Sequence, residues 1–123
     1  MRVSEVIQKR SRLHASIRRY FFEQSVQEVE VPVIGSATAT DPHLCSMEVI
    51  DPRSEDPMYL QTSPELFMKR LLCSDSGSIY AICKSFRAGE ASKKHNPEFS
   101  MLEWYRVGFT LCLLYTSPSP RDS

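Results

Sequence analysis

The sequence predicts an α/β domain of the α+β type, in which helices flank an antiparallel sheet. Three observations support this prediction. An apolar stripe follows residues 3–24 at helical spacing, residues 79–87 and 99–105 alternate at strand spacing, and a helix-start signature lies at residues 63–65. A chain of 123 residues forms at most one domain with a modest core.

The first predicted element is an amphipathic helix over residues 3–24. Its basic residues Lys9, Arg12 and Arg19 lie away from one apolar stripe, which consists of Val6, Leu13, Ile17, Tyr20 and Phe21. Such a stripe is typical of a helix that packs on a sheet or on a second subunit.

The middle of the chain predicts loops, one short strand and a second helix. Small residues at 35–42 indicate a loop, residues 47–50 a short strand, and residues 51–57 a charged, solvent-facing loop. Ser63 fits the N-cap, Pro64 the first helical position and Glu65 the first turn, where the helix dipole favours an anion. We expect Lys69 and Arg70 on the solvated side of this helix, and apolar anchors at Leu66, Phe67, Leu71 and Leu72.

A hairpin follows, with Asn96 and Pro97 supplying the turn chemistry before its second strand. Alternation along that strand places four residues on one face as the lining of a pocket: Phe99, Met101, Glu103 and Tyr105. The opposite face is apolar enough to lie on a core and carries Ser100, Leu102 and Trp104.

On the first strand of the hairpin, Arg87 shares a face with Ile79, Ala81, Cys83 and Ser85. We expect Arg87 to lie at the mouth of the hairpin, with its guanidinium against the ring of Phe99. A guanidinium suits phosphate and carboxylate oxygens, a ring suits a base, and Glu103 suits an ammonium group. The alternative is that Arg87 is a solvated strand-end charge and Glu103 an edge residue.

Composition narrows the possible partners and location. Fifteen basic and fifteen acidic residues give no net charge, so no broad basic surface for nucleic acid is expected. The chain has neither a signal sequence nor an apolar run of membrane length, and its cysteines lack C-x-x-C spacing, which predicts a reduced, cytoplasmic protein without a membrane partner. The histidines His14, His43 and His95 are scattered, so no protein-held metal site is expected.

Several segments together resemble the class II aminoacyl-tRNA synthetases, in particular the lysine branch. Phe86–Arg87 followed by residues 95–99 (HNPEF), 101–103 (MLE) and Tyr105 resembles motif 2 of that family. Residues 28–32 (EVEVP) resemble motif 1, and residues 62–65 (TSPE) with 68–71 (MKRL) resemble the amino-acid-binding segment between the motifs. Within the branch, residues 39–44 (ATDPHL) and the pair Trp104 and Arg106 resemble the elongation factor P lysine ligases.

The resemblance implies the roles of individual residues. It assigns ATP binding to Arg87, Ala88, Gly89, Glu90, His95, Asn96 and Phe99, and it assigns amino-acid binding to Ser63, Pro64, Glu65, Glu103 and Tyr105. Arg87 would be the catalytic residue, because it holds the α-phosphate and the substrate carboxylate together. Gly89 departs from the pattern, since many relatives carry a glutamate there, and this weakens the expectation of adenine recognition at that position.

The resemblance also implies an activity. It predicts activation of lysine or β-lysine as an adenylate, with ATP and Mg²⁺, and transfer to a lysine of elongation factor P by a cytoplasmic homodimer joined through the first helix and the strand after it. One alternative is the core of a lysyl-tRNA synthetase, for which the acceptor is tRNA. Another is a synthetase-like binding module without catalysis.

The extent of the resemblance sets the expected boundaries. It covers residues 6–110, and no segment corresponds to the third motif of the family. We therefore expect residues 1–111 to form part of a catalytic domain that is inactive by itself. Residues 112–123, rich in Ser and Pro at their end, are expected to be a non-native disordered tail, or else a natural one.

Overall fold

A computed structural model describes residues 1–36, 46–88 and 96–108, and the backbone of residues 113–117. Several sequence predictions lie outside these ranges. They concern the loop and ligase-like run at residues 37–45, the predicted ATP-binding residues Gly89, Glu90 and His95, and the end of the chain at residues 118–123.

Helix α1 spans Val3–Glu23, close to the predicted range. Phe21 is its buried residue and Ile17 packs beside it, whereas Leu13 and Tyr20 of the predicted stripe are 41% and 53% exposed. The side of α1 that is at least partly buried instead runs through Val6, Arg10, His14, Ile17 and Phe21. A helix that packs on a sheet buries only a narrow stripe of its surface. The positions of the apolar residues in the sequence did not show which side of α1 carries that stripe.

After α1 come four short strands and a second helix, then three longer strands. These are β1 (Gln27–Glu28), β2 (Ile34–Gly35), β3 (Glu48–Val49), β4 (Met58–Leu60), α2 (Glu65–Cys73), β5 (Ile79–Phe86), β6 (Glu98–Tyr105) and β7 (Leu113–Ser117). The larger sheet has the order β1-β5-β6-β7, and the smaller has the order β2-β4-β3. Only the β1–β5 pair is parallel among these described strands, so the predicted antiparallel sheet with flanking helices is confirmed.

The β5–β6 register separates the larger sheet into two faces. Ala81 pairs with Glu103 and Ser85 with Phe99 on one face, while Tyr80 pairs with Trp104 on the other. The second face packs against α1 through a cluster that contains Phe21, Val26, Tyr80, Ile82, Leu102 and Trp104. The predicted core side of β6 is therefore covered by α1.

Helix α2 covers one end of the opposite face. Met68 is fully buried against Ile79 and Ala81, and Leu71 and Leu72 pack around them. The predicted anchor Leu66 is 38% exposed, because the buried side of the helix is centred on Met68. Helix α2 thus leaves the rest of this face, toward Arg87, to the candidate site.

Two sequence predictions about element boundaries differ from the structure. The motif 1 strand is only Gln27–Glu28, although the Val29 amide still donates to the Tyr80 carbonyl at 2.9 Å. Pro64, not Ser63, takes the N-cap position of α2. The Ser63 hydroxyl nevertheless accepts a hydrogen bond from the Glu65 amide at 3.3 Å. Ser63 therefore satisfies an N–H group at the start of α2 from the residue before the N-cap.

Part of the segment that was expected to be a tail, Leu113–Ser117, lies in the larger sheet. These residues pair with β6 as β7, from Ser100–Ser117 to Trp104–Leu113. The segment contains Tyr115 and Thr116, which are residue types that favour strands, and the edge of β6 offers ladder groups with which it can pair. The neighbouring Ser/Pro-rich residues obscured this local strand propensity.

Candidate active site

Arg87 follows the end of β5 and faces the start of β6. Its amide donates to the Pro97 carbonyl at 2.9 Å, and its guanidinium carbon lies 4.9 Å from the centre of the Phe99 ring. The predicted contact between guanidinium and ring is therefore present. This cation–π contact holds the guanidinium over the ring.

The Nε atom of Arg87 is buried and has no hydrogen-bond partner among the described residues. Leaving a charged donor buried and unpaired costs free energy, whereas a phosphate or carboxylate oxygen would satisfy it. An anionic ligand thus fits this position, as ATP or an amino-acid carboxylate would require.

Glu103 lies on the same face of β6 as Phe99, one residue pair beyond Met101. Its side chain is only 1% exposed, and burial raises its pKa to about 7. The Tyr105 hydroxyl donates to Oε2 of Glu103 at 3.3 Å, and this hydrogen bond lowers the pKa of Glu103. Glu103 is thus a buried carboxyl group that titrates near neutrality and is suited to receive a cation.

Two residues of α2 extend the charge pattern around Glu103. The Glu65 carboxylate accepts a hydrogen bond from the Lys69 ammonium at 2.6 Å, one helical turn away. Both act on the pKa of Glu103, with Glu65 raising it and Lys69 lowering it. Around Glu103 the site thus contains a second carboxyl group and one ammonium group, in addition to the guanidinium of Arg87.

The floor between Arg87 and Glu103 consists of buried strand residues. Ser85 is fully buried and its hydroxyl lies 3.8 Å from the sulfur of Met101, which is 1% exposed. Beside them, burial raises the pKa of the Cys83 thiol to about 11, so this thiol stays protonated and unreactive at neutral pH. Burial is the largest cause of the raised pKa of Glu103, and the negative charge of Glu65 also raises it.

The structure brings together most of the predicted site residues that it describes. Arg87 contacts Phe99, Glu103 contacts Tyr105, and Ser63 and the buried Pro64 hold the start of α2. Ala88 and Asn96 are half-buried. Between them in the sequence lie residues 89–95, which include the predicted ATP-binding residues outside the described ranges.

The predicted solvated side of α2 is confirmed, because Lys69 and Arg70 are both exposed. Sequence reasoning missed the ion pair of Lys69 with Glu65, for which the i,i+4 spacing was the available signal, and it missed Gln61. Gln61 gave no sequence signal, because its contacts are with distant strands.

Comparisons with known proteins agree with this geometry. A sequence profile described as tRNA synthetases class II (D, K and N) matches residues 1–110, so the chain belongs to this family. Its relatives include the elongation factor P--(R)-beta-lysine ligase of Vibrio atlanticus (strain LGP32), 49% identical over 107 residues, which are 84% of this chain and 33% of that protein. The ligase of the same name from Buchnera aphidicola subsp. Acyrthosiphon pisum (strain Tuc7) is 50% identical over 102 residues, 80% of this chain and 32% of that protein. The predicted resemblance is thereby confirmed.

A solved structure shows the same fold. It is the crystal structure of asparaginyl-tRNA synthetase from Pyrococcus horikoshii complexed with asparaginyl-adenylate, with a TM-score of 0.70 and 19% identity. The match covers 82% of this chain and 23% of that one. The chain thus spans about a third of the length of its curated relatives and a smaller share of this synthetase.

The described residues also yield two negative findings. They contain no helix that is both long and apolar enough to cross a membrane. In the same ranges, no group of three or more His, Cys, Asp or Glu residues is arranged to hold a metal ion.

Proposed function

We propose that this chain is part of a ligase that activates lysine or β-lysine with ATP and transfers it to a lysine of elongation factor P. The observation that carries the proposal is the unpartnered Nε of Arg87 above the Phe99 ring, in a chain whose relatives bear the name of that ligase. The full activity belongs to a protein about three times as long as the region matched here.

The residues of this chain would act mainly by positioning the two substrates. Arg87 would hold an α-phosphate oxygen and the substrate carboxylate, so that a carboxylate oxygen attacks phosphorus in line and pyrophosphate leaves. Phe99 and Asn96 would hold the adenine, and His95 would reach the outer phosphates. Ala88, Gly89 and Glu90 would complete the ATP-binding segment. Magnesium bound with ATP would neutralise phosphate charge.

The carboxyl groups would select the amino acid. Glu65, supported by Ser63 and Pro64, would receive the ammonium group near the substrate carboxylate, and Glu103 with Tyr105 would shape the pocket for the second ammonium group. Because lysine and β-lysine each carry two ammonium groups, the Glu65 and Glu103 carboxyl groups match them in number. The side chain of an aspartate substrate would instead place a negative charge beside the Glu103 carboxyl group. Two like charges at close range cost on the order of several kcal/mol.

The family profile includes enzymes for aspartate, lysine and asparagine, so the amino acid is the first property to test. The complete protein that contains this segment is assayed for ATP–pyrophosphate exchange with lysine, β-lysine, aspartate and asparagine. We expect exchange with lysine or β-lysine alone. Exchange with aspartate or asparagine would contradict the proposal, and no exchange with any of them would favour a binding module without catalysis.

The same profile supports a second candidate, a lysyl-tRNA synthetase, which would share the activation step but use tRNA as acceptor. We favour elongation factor P because the chain has no net charge with which to attract a polyanion. We also propose that the complete protein is a cytoplasmic homodimer, with α1 and the strand after it at the interface. Several apolar side chains of α1 are exposed in the single chain, which supports this: Val3, Ile7 and Phe22.

A further inference from the structure

Strand β5 changes neighbours along its length. At its start it pairs with β1 through Ile79 and Tyr80, and the Val29 amide adds one more bond to Tyr80. In the described part of the chain, no strand continues this pairing toward Arg87. At that end the partner is a single residue, Gln61, which follows β4.

Gln61 holds β5 with both its main chain and its side chain. The Phe86 amide donates to the Gln61 carbonyl at 2.9 Å, and Nε2 of Gln61 donates to the Lys84 carbonyl at 2.7 Å. These two bonds lie on either side of the buried Ser85, directly before Arg87. The last three residues of β5 are thus fixed on the side that β1 does not reach.

The side chain is needed because the main-chain donor of Gln61 is already used. The Gln61 amide donates to the Val33 carbonyl at 2.8 Å, which ties it to the smaller sheet. A strand neighbour would normally offer both an N–H and a C=O to β5. The main-chain N–H of Gln61 is bonded to Val33, so the side-chain amide donates to β5 in its place. Most other side chains have no N–H donor at this distance from the main chain.

The bonds of Gln61 connect the two ends of the candidate site. Glu65 follows four residues later, through Thr62 and Pro64, which are buried and leave this segment little freedom. Arg87 follows directly after Phe86. We propose that Gln61 is a positioning residue that sets the spacing between Glu65, which would take the ammonium group, and Arg87, which would take the carboxylate and phosphate. This inference rests on the function proposed above.

The test is the rate of adenylate formation in the complete protein with Gln61→Met, which keeps the length of the side chain and removes the donor. A displacement of about 1 Å between groups that hold a reactant is worth up to about a hundredfold in rate, so we expect a fall of about tenfold or more. The Michaelis constant for the amino acid should rise several-fold, while the burst of adenylate per site keeps its amplitude. A merely structural role would reduce the burst amplitude and leave the rate constant unchanged, which would overturn the proposal.

Two further variants make the result specific. Gln61→Lys keeps a donor at similar reach and should recover part of the lost rate. Ser78→Ala removes a comparable side-chain bond, the one the Val107 amide donates at 2.9 Å, at the far end of β5 and should keep the wild-type rate. Equal losses in Ser78→Ala and Gln61→Met would contradict a specific role for Gln61.

A second measurement does not depend on activity. Amide hydrogen exchange at Phe86 should be about tenfold faster in Gln61→Met, because the side chain steadies the carbonyl that accepts from this amide. Unchanged protection at Phe86 would count against the inference, even if the wild-type protein activates no amino acid and the proposed function itself fails.

Discussion

At the scale of single residues, Arg87 and Glu103 are charged groups in unusual surroundings. Arg87 has a buried nitrogen without a partner among the described residues, and Glu103 is a carboxyl group almost without exposure. Both conditions cost free energy in the folded chain, and a ligand of complementary charge would reduce that cost. The two residues lie on the same face of the β5–β6 hairpin.

Replacing Arg87 by Ala in the complete protein should lower kcat/KM for amino-acid activation by about a hundredfold, or about 2.7 kcal/mol. The physical reason is the loss of charge-assisted bonds to oxygens that gain charge during adenylate formation. Steady-state pyrophosphate exchange measures the change. Arg53→Ala is the matched control, because the Arg53 side chain is 90% exposed and its Nε lies 3.5 Å from Oδ1 of nearby Asp51. A loss below threefold at Arg87 would mean that it is an ordinary surface charge.

Glu103 should make the stability of the 123-residue chain depend on pH. Its pKa of about 7 lies above the ordinary 4.5, so between these values the folded state keeps a proton that the unfolded state releases. The stability that follows is complete below about pH 4.5 and is lost as the pH rises through about 7. Glu103→Gln, which cannot ionise, should therefore become more stable than the wild type as the pH rises from 5 to 8, by on the order of 1 to 3 kcal/mol.

Urea unfolding followed by the fluorescence of Trp104, the single tryptophan, measures this difference. Glu98→Gln on the same strand is the control, because it removes an exposed carboxyl group instead of a buried one. A stability difference between Glu103→Gln and the wild type that does not change with pH would contradict the burial argument.

At the scale of elements, the docking of α1 on the larger sheet depends on one aromatic cluster. The ring of Phe21 stacks on Tyr80 with centroids 4.3 Å apart and lies 5.8 Å from the ring of Trp104. Next to it, Phe22 points away and is 83% exposed. The two adjacent phenylalanines thus provide a matched pair for testing how much this docking contributes.

Phe21→Ala should destabilise the chain by about 3 to 5 kcal/mol, since it removes a buried aromatic ring and leaves a cavity. Phe22→Ala should change the stability of the monomeric chain by no more than about 0.5 kcal/mol, at protein concentrations too low for dimers. Thermal unfolding monitored by near-ultraviolet circular dichroism compares the two variants. Equal effects would show that α1 does not dock through Phe21.

The sequence predicted elements well where residue periodicity decided the outcome. Alternation along β6 placed Phe99 and Glu103 on the site face and Trp104 on the core face, as the structure has them. Periodicity does not specify which strand lies beside an edge. The bridging by Gln61 and the pairing of β7 were therefore missed, because both depend on contacts between distant parts of the chain.

At the scale of the whole molecule, the described residues form two sheets joined near Gln61, with α1 on one face of the larger sheet and the candidate site on the other. The motif residues predicted the site because their order along the chain is specific to the family. The burial of Glu103 is a property of the tertiary packing, which the motif does not specify. The choice of acceptor depends on surfaces of the complete protein.

The most direct test of the central proposal is attachment of a labelled amino acid to an acceptor. The complete protein is given ATP, labelled lysine or β-lysine, and either elongation factor P or lysine-specific tRNA, with reactions lacking ATP as controls. We predict ATP-dependent labelling of elongation factor P, lost when its acceptor lysine is replaced by Arg, and little labelling of tRNA. Efficient charging of tRNA without labelling of elongation factor P would contradict the account and favour a lysyl-tRNA synthetase.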